Sequence, residues 1–200
     1  MAIRAGADAV GLVGPMPSGP GPIEDELIAV IAKTIPPHIS SFLLTCEQSS
    51  RGIIKHIQRT GTNTVQIVDE LTTGSYQDIR NELPQIKIVQ VIHVSDEKSI
   101  LQALRIQEHV DYILLDSGNP NAAIKTLGGT GNIHDWAISK ELVKQVSIPV
   151  FLAGGLNAEN VKQAINQVEP FGVDVCSGVR MNGNLDPQKL ENFFAAVRNN

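Results

Sequence analysis

Two hundred residues, 42% hydrophobic and 18% charged, suit an ordinary globular chain with a sizeable core. The formal net charge of −5, with basic residues scattered, excludes the electrostatic footprint of a nucleic-acid binder or of a protein drawn to an anionic membrane. No apolar run approaches the roughly 20 residues of a bilayer span, and the opening "MAIRAGADAVGLVG" lacks the charged flank and apolar core of a signal peptide.

In chain order, "AIRAGADAV" reads as the last turn of a helix, a stop at Gly6 and entry into a strand, "AVGLV" (9–13). The segment "IEDELIAVIAKTI" predicts a helix with acidic residues in its first turn and an apolar stripe of Ile23, Leu27, Val30, Ile31 and Ile35. Strands follow at "SSFLLT" (40–45), "TVQIV" (64–68), "KIVQVIHV" (87–94), "YILLD" (112–116), "PVFLAG" (149–154) and "VDVCSG" (173–178). Helical spacing returns in "SRGIIKHIQRT", "EKSILQALRIQEHV", "ISKELVKQV", "AENVKQAINQV" and "PQKLENFFAAVRNN". Asn157, and Asp186 before Pro187, read as helix N-caps.

Most of these strands are nearly continuous in hydrophobicity, as parallel strands buried on both faces must be. Seven of them, each followed by a helix or its remnant, predict right-handed βαβ units of the α/β class. A doubly wound sheet has edges and usually fewer strands, whereas a (β/α)₈ TIM barrel has eight and closes. The reading adopted is a TIM barrel lacking its first β-strand and most of its first helix. With no linker or composition shift, residues 1–200 read as a single domain. A missing strand would expose two sheet edges and a slice of core. Rearrangement, a partner chain or a homodimer would have to cover them, unless the native chain starts earlier.

Cys46 and Cys176 lie far apart and outside any metal-ligand spacing, as two reduced thiols of a cytoplasmic protein would. The five histidines show no HxH or HxxxH pairing, so no metal is expected. In barrels the chemistry clusters where strands end, and the loops after the last two strands often hold phosphate. Those ends read "LAGGLNAEN" and "VCSGVRMNG". Gly154 and Gly155, then Ser177 and Gly178, would let backbone N–H groups approach an anion; the alternative is that they only make tight turns. Asp116 ends its strand at the same mouth, either as a general base or as a cap for the loop behind it. That loop, "SGNPNAAIKTLGGTGNIHDW", is too long for a plain connection and reads as a lid, with Gly128, Gly129 and Gly131 as hinge points and Trp136 as a packing anchor.

Taken together, "AGADAVGLV", "TVQIV", "LLDS", "GGTGNIHDW", "LAGGLNAENVKQAI" and "PFGVDVCSGV" resemble the phosphoribosylanthranilate isomerase family over essentially the whole chain. The resemblance implies a cofactor-free barrel of tryptophan biosynthesis. Its reaction is the Amadori rearrangement of N-(5'-phosphoribosyl)anthranilate, a small phosphorylated substrate. It implies that Asp116 is the general base at ribose C2, and that Gly154, Gly155, Ser177 and Gly178 are the phosphate turns. Asp174 matches a polar position of the last motif.

The departures from the family pattern are specific. The family's "KICG" strand, whose cysteine is the acid that opens the ribose ring, is not in this sequence. Its serine-x-arginine is here "MPSGPGPIED" (16–25), and its "QLHG" is "QIVD" (66–69), with Val68 for the histidine. Cys176, His93 and Asp69 are the residues that could stand in, set against core packing, a satisfied structural histidine and a helix cap respectively. A second reading follows: a divergent, non-catalytic barrel that binds another phosphorylated sugar.

Overall fold

A short helical turn, α1 (Ala2–Ala5), stops at Gly6 in the left-handed conformation and feeds β1 (Ala9–Val13). The computed structural model describes residues 1–17, 21–118 and 134–199. After β1 come α2 (Asp25–Ala32), β2 (Ser40–Thr45), α3 (Ser50–Thr60), β3 (Thr64–Ile67), α4 (Tyr76–Glu82), β4 (Lys87–His93) and α5 (Lys98–Ile106). The second half runs β5 (Tyr112–Asp116), α6 (Trp136–Gln145), β6 (Val150–Leu152), α7 (Val161–Val168) and β7 (Gly172–Val173). A 3₁₀ turn (Ser177–Val179), the hairpin β8 (Arg180–Met181) and β9 (Asn184–Leu185), and α8 (Pro187–Arg198) complete it.

Strands β1 to β7 form one parallel sheet in sequence order, with β1 and β7 at its edges among the described residues. Alternation along each strand sorts side chains into two layers. Leu43, Val65, Ile88, Ile92, Ile113, Leu115 and Leu152 face outward into the main core, which the helices cover. Val68, Val89, Val91, Leu114 and Ala153 face inward, with Phe42, Leu44 and Phe151 packed on them. The rings of Phe42 on β2 and Phe151 on β6 meet with centroids 6.1 Å apart, although β3, β4 and β5 lie between them in sheet order. Only a sheet curled on itself brings them together, which is the geometry of a TIM barrel. No helix among the described residues is long and apolar enough to cross a membrane.

Local chemistry accounts for most boundaries. Ser49 caps α3 by accepting from Gly52 N, and Asp186 caps α8 by accepting from Lys189 N, with Pro187 at the first helical position. Helix α4, which periodicity did not reveal, is short and polar but carries a capping box between Ser75 and Asp78. Asn157 caps the turn before α7 instead of the helix itself, accepting from Glu159 N and Asn160 N. The stripe expected of α2 is corrected: Ile28 is fully buried, whereas Leu27 and Val30 are exposed at 48% and 60%. The run "LIAVIA" is apolar all round, so its periodicity fits more than one face, and packing against the sheet selects Ile28 and Ile31.

A buried polar chain fixes α2 and α3 to β2. Thr45 Oγ1 meets His56 Nδ1 at 2.8 Å, His56 Nε2 meets Asp25 Oδ1 at 2.9 Å, and Arg59 Nε donates to Asp25 Oδ2 at 2.7 Å. The connectivity is that of a nucleophile–base–acid triad. Thr45 is fully buried on the helix side of the sheet, however, so no substrate reaches it and the chain is structural.

Candidate active site

The inward register places the last residue of β5 in the barrel mouth, because Tyr112 and Leu114 face inward and Asp116 follows by two. Asp116 Oδ1 accepts the N–H of Ser117 at 2.7 Å, which fixes the carboxylate at the strand end. Asp174 leaves β7 on the same parity, its N–H donating to Leu152 O at 2.9 Å. One cleft is lined by Asp116, Gly154, Gly155, Asp174, Cys176 and Ser177. Five of the six residues singled out from the sequence therefore share one concavity.

Gly178, the sixth, acts behind the wall. A Cβ placed there would lie 1.9 Å from Leu156 O and 3.0 Å from Asn157 Cα, so the turns after β6 and β7 touch backbone to backbone at this point. Gly154 and Gly155 hold φ of 84° and 65°. Such left-handed values are adopted freely by glycine, so the chain turns at this strand end with no Cβ over its backbone. Asn160 Nδ2 occupies Gly155 O at 3.0 Å and steadies the turn.

Electrostatics differ among the cleft's acids. Asp174 is open to solvent through the mouth, yet the protein packed round it and the neighbouring charge of Asp116 push its carboxyl up to about 6, against a bond from Val175 N–H. Burial also raises the Cys176 thiol, opposed by the Arg180 guanidinium and reinforced by Asp174 and Asp116. His134 lies against this wall: its Nδ1 is 2.9 Å from where a Gly154 Cβ would be, and its Nε2 bonds Ser139 Oγ at 2.7 Å. Burial pulls its pKa down, while the charges of Asp116 and Asp135 pull the other way.

The profile described as N-(5'phosphoribosyl)anthranilate (PRA) isomerase matches residues 43–196. N-(5'-phosphoribosyl)anthranilate isomerase 2 of Methanosarcina mazei is 38% identical over 201 residues, covering 100% of this chain and 88% of that protein. The chain belongs to the phosphoribosylanthranilate isomerase family. The Thermotoga maritima isomerase superposes with a TM-score of 0.80 at 28% identity, over 100% of this chain and 92% of that one. A phosphoribosylanthranilate isomerase in complex with reduced 1-(o-carboxyphenylamino)-1-deoxyribulose 5-phosphate gives a TM-score of 0.76 at 26% identity, over 100% and 91% of the two chains.

Against that family background, the stand-in residues separate. Cys176, read from the sequence as core packing, is in the cleft wall. His93 sits next to Asp116 in the sheet register, but its Nε2 donates to Val68 O at 2.9 Å and its buried Nδ1 has no partner among the described residues. Asp69 is buried and accepts from its neighbour Glu70 N at 2.8 Å, away from the cleft lining. Trp136 is buried at the start of α6, as a packing anchor should be. The proposed hinge residues Gly128, Gly129 and Gly131 lie outside the described residues. His134 and Arg180 were missed from the sequence: neither follows a strand directly, and only the neighbouring turns bring them to the mouth.

Proposed function

We propose that this chain carries out its family's reaction, the isomerisation of N-(5'-phosphoribosyl)anthranilate in tryptophan biosynthesis, with Asp116 as general base. The observation that carries this reading is that Asp116 shares one cleft with the glycine turns after β6 and β7. In the proposed arrangement the substrate phosphate sits on the N–H groups of Gly154 and Gly155 and on the turn at Ser177, with Gly178 holding the two turns together. The sugar then lies over Asp116 and Asp174.

The rearrangement proceeds through four proton movements. A proton delivered to the ring oxygen breaks its bond to C1 and leaves an iminium ion. Asp116 then removes the C2 proton, and the electron pair moves through the new C1–C2 double bond to nitrogen. Return of a proton to C1, with loss of the hydroxyl proton at C2, gives the ketose. Cys176 and Asp174, both raised above their ordinary values, are the proton-bearing groups we place beside this path. Asp174 also hydrogen-bonds the sugar in this reading.

Residues 1–200 act as a single domain here, in the cytoplasm, with no cofactor or metal. The edges of β1 and β7, unpaired among the described residues, would be covered in a homodimer, which light scattering tests. The deciding experiment follows loss of anthranilate fluorescence during turnover of freshly generated substrate. Asp116→Asn should lower turnover by about 10²–10⁴-fold and keep phosphate affinity, since geometry survives while basicity does not. Equal turnover in the variant would remove Asp116 from the mechanism. Phosphate-competable binding without turnover in the wild-type protein would favour a non-catalytic barrel for another phosphorylated sugar.

A further inference from the structure

The open seam of the barrel, between β7 and β1, is crossed at the mouth by one cation. Arg180 begins β8, where the Asn182–Gly183 turn, both residues at positive φ, folds the chain back so that Arg180 pairs with Leu185. Its backbone is fastened by Lys189 Nζ, which donates to Arg180 O at 3.0 Å, and its Nη1 donates to Gly183 O at 2.8 Å. The guanidinium lies beside the Cys176 thiol, one wall of the cleft. Its Nη2 reaches the turn after β1, 3.5 Å from where a Cβ of Gly21 would stand.

This turn is the one in which the family's arginine gives way to glycine and proline. Arg180 thus brings positive charge from the far side of the seam to a loop that has none of its own over residues 14–17 and 21–23. The surroundings of Gly154 are His134 and Ser117, and those of Gly178 are Leu156 and Asn157, whereas Arg180 meets Gly21.

The cleft already holds two carboxyl groups, Asp116 and Asp174. A substrate with both a phosphate and an aryl carboxylate enters it only if its charges meet separate positive or N–H-rich partners. The glycine turns can serve the phosphate, and the carboxylate needs a cation of its own beside the cleft. We propose that Arg180 binds the ring carboxylate of the substrate and so makes the site select carboxylated aryl amines. The inference rests on the functional reading above. A planar fork of N–H donors beside the cleft wall is suited to a carboxylate.

The test compares two ligands by calorimetry: reduced 1-(o-carboxyphenylamino)-1-deoxyribulose 5-phosphate and the same compound without its ring carboxylate. Arg180→Met should weaken the carboxylated ligand by about 10- to 100-fold and leave the other unchanged, which also shows that the variant is folded. Arg180→Lys should recover part of the loss, because charge returns without the fork. An equal loss for both ligands would assign Arg180 to the phosphate or to structure and overturn the proposal, as would no loss for either. Failure of the wild-type protein to bind either ligand would sink the functional reading, and this inference with it.

Discussion

Replacing Gly178 by alanine tests whether the contact between the two turns sets the geometry of the site. The added Cβ would fall 1.9 Å from Leu156 O and 2.9 Å from the carbonyl carbon of Leu156. Both are backbone atoms, and Leu156 is buried at 2% exposure, so no side chain can swing aside. Relief to an ordinary contact requires the turns to part by about 1 Å or more. Overpacking of this kind costs about 1–3 kcal/mol, or about 2–4 °C of melting temperature per kcal/mol for a chain of this size. A displacement of about 1 Å can cost on the order of 100-fold where groups must converge on one ligand. Calorimetric titration with the phosphorylated product analogue should therefore show a loss of that order, well beyond what the fall in melting temperature implies. Gly61→Ala is the control, since a Cβ there meets nothing within 4 Å and only the left-handed φ of 66° opposes it. It should lower stability by about 1 kcal/mol and leave affinity unchanged. Wild-type affinity in Gly178→Ala would refute the idea that this contact positions the phosphate turns.

Asp174 holds its proton to about pH 6 in the folded chain. The native state therefore binds more protons than the unfolded one between the ordinary carboxylate range and about 6, and stability falls as pH rises through that window. Melting curves of Asp174→Asn should lack this fall, and parallel curves for variant and wild type would contradict it. For Asp25 the sign is opposite: Arg59 and His56 hold its pKa down against burial, so its contribution is present above the ordinary carboxylate range and lost as acid protonates it. Asp25→Asn, read by urea unfolding at neutral pH, should cost about 1–3 kcal/mol by leaving the buried His56 poorly paired and the exposed Arg59 without its carboxylate. Ile28→Ala should cost about 2–5 kcal/mol and Leu27→Ala less than about 1 kcal/mol; the reverse order would restore the stripe read from the sequence.

Much of this protein was legible in its chain because the signals are local. Strands buried on both faces must be apolar at nearly every position, so β2, β4 and β5 announce themselves as runs. A carboxylate or a glycine pair that ends such a run is placed at the barrel mouth by the run itself, which is why Asp116, Gly154 and Gly155 could be named beforehand. The Asp186–Pro187 pair works in the same local way.

What the chain left open depends on neighbours distant in sequence. The all-apolar stretch of α2 has no phase until the sheet selects Ile28 over Leu27. Residues 173–178 read as strand, but only Gly172–Val173 pair with β6; the rest bend into the cleft and bring Cys176 to its wall. Gly178 is ambiguous as a turn residue until Leu156 O is found against it. Arg180 gains its meaning from Gly21, 159 positions earlier, across a seam that exists only once the sheet has curled. Hydrophobic periodicity and turn chemistry specify which residues are strand, helix and strand end, since each is settled within a few residues. The partners that share the cleft are settled by closure of the curved sheet, which no local pattern encodes.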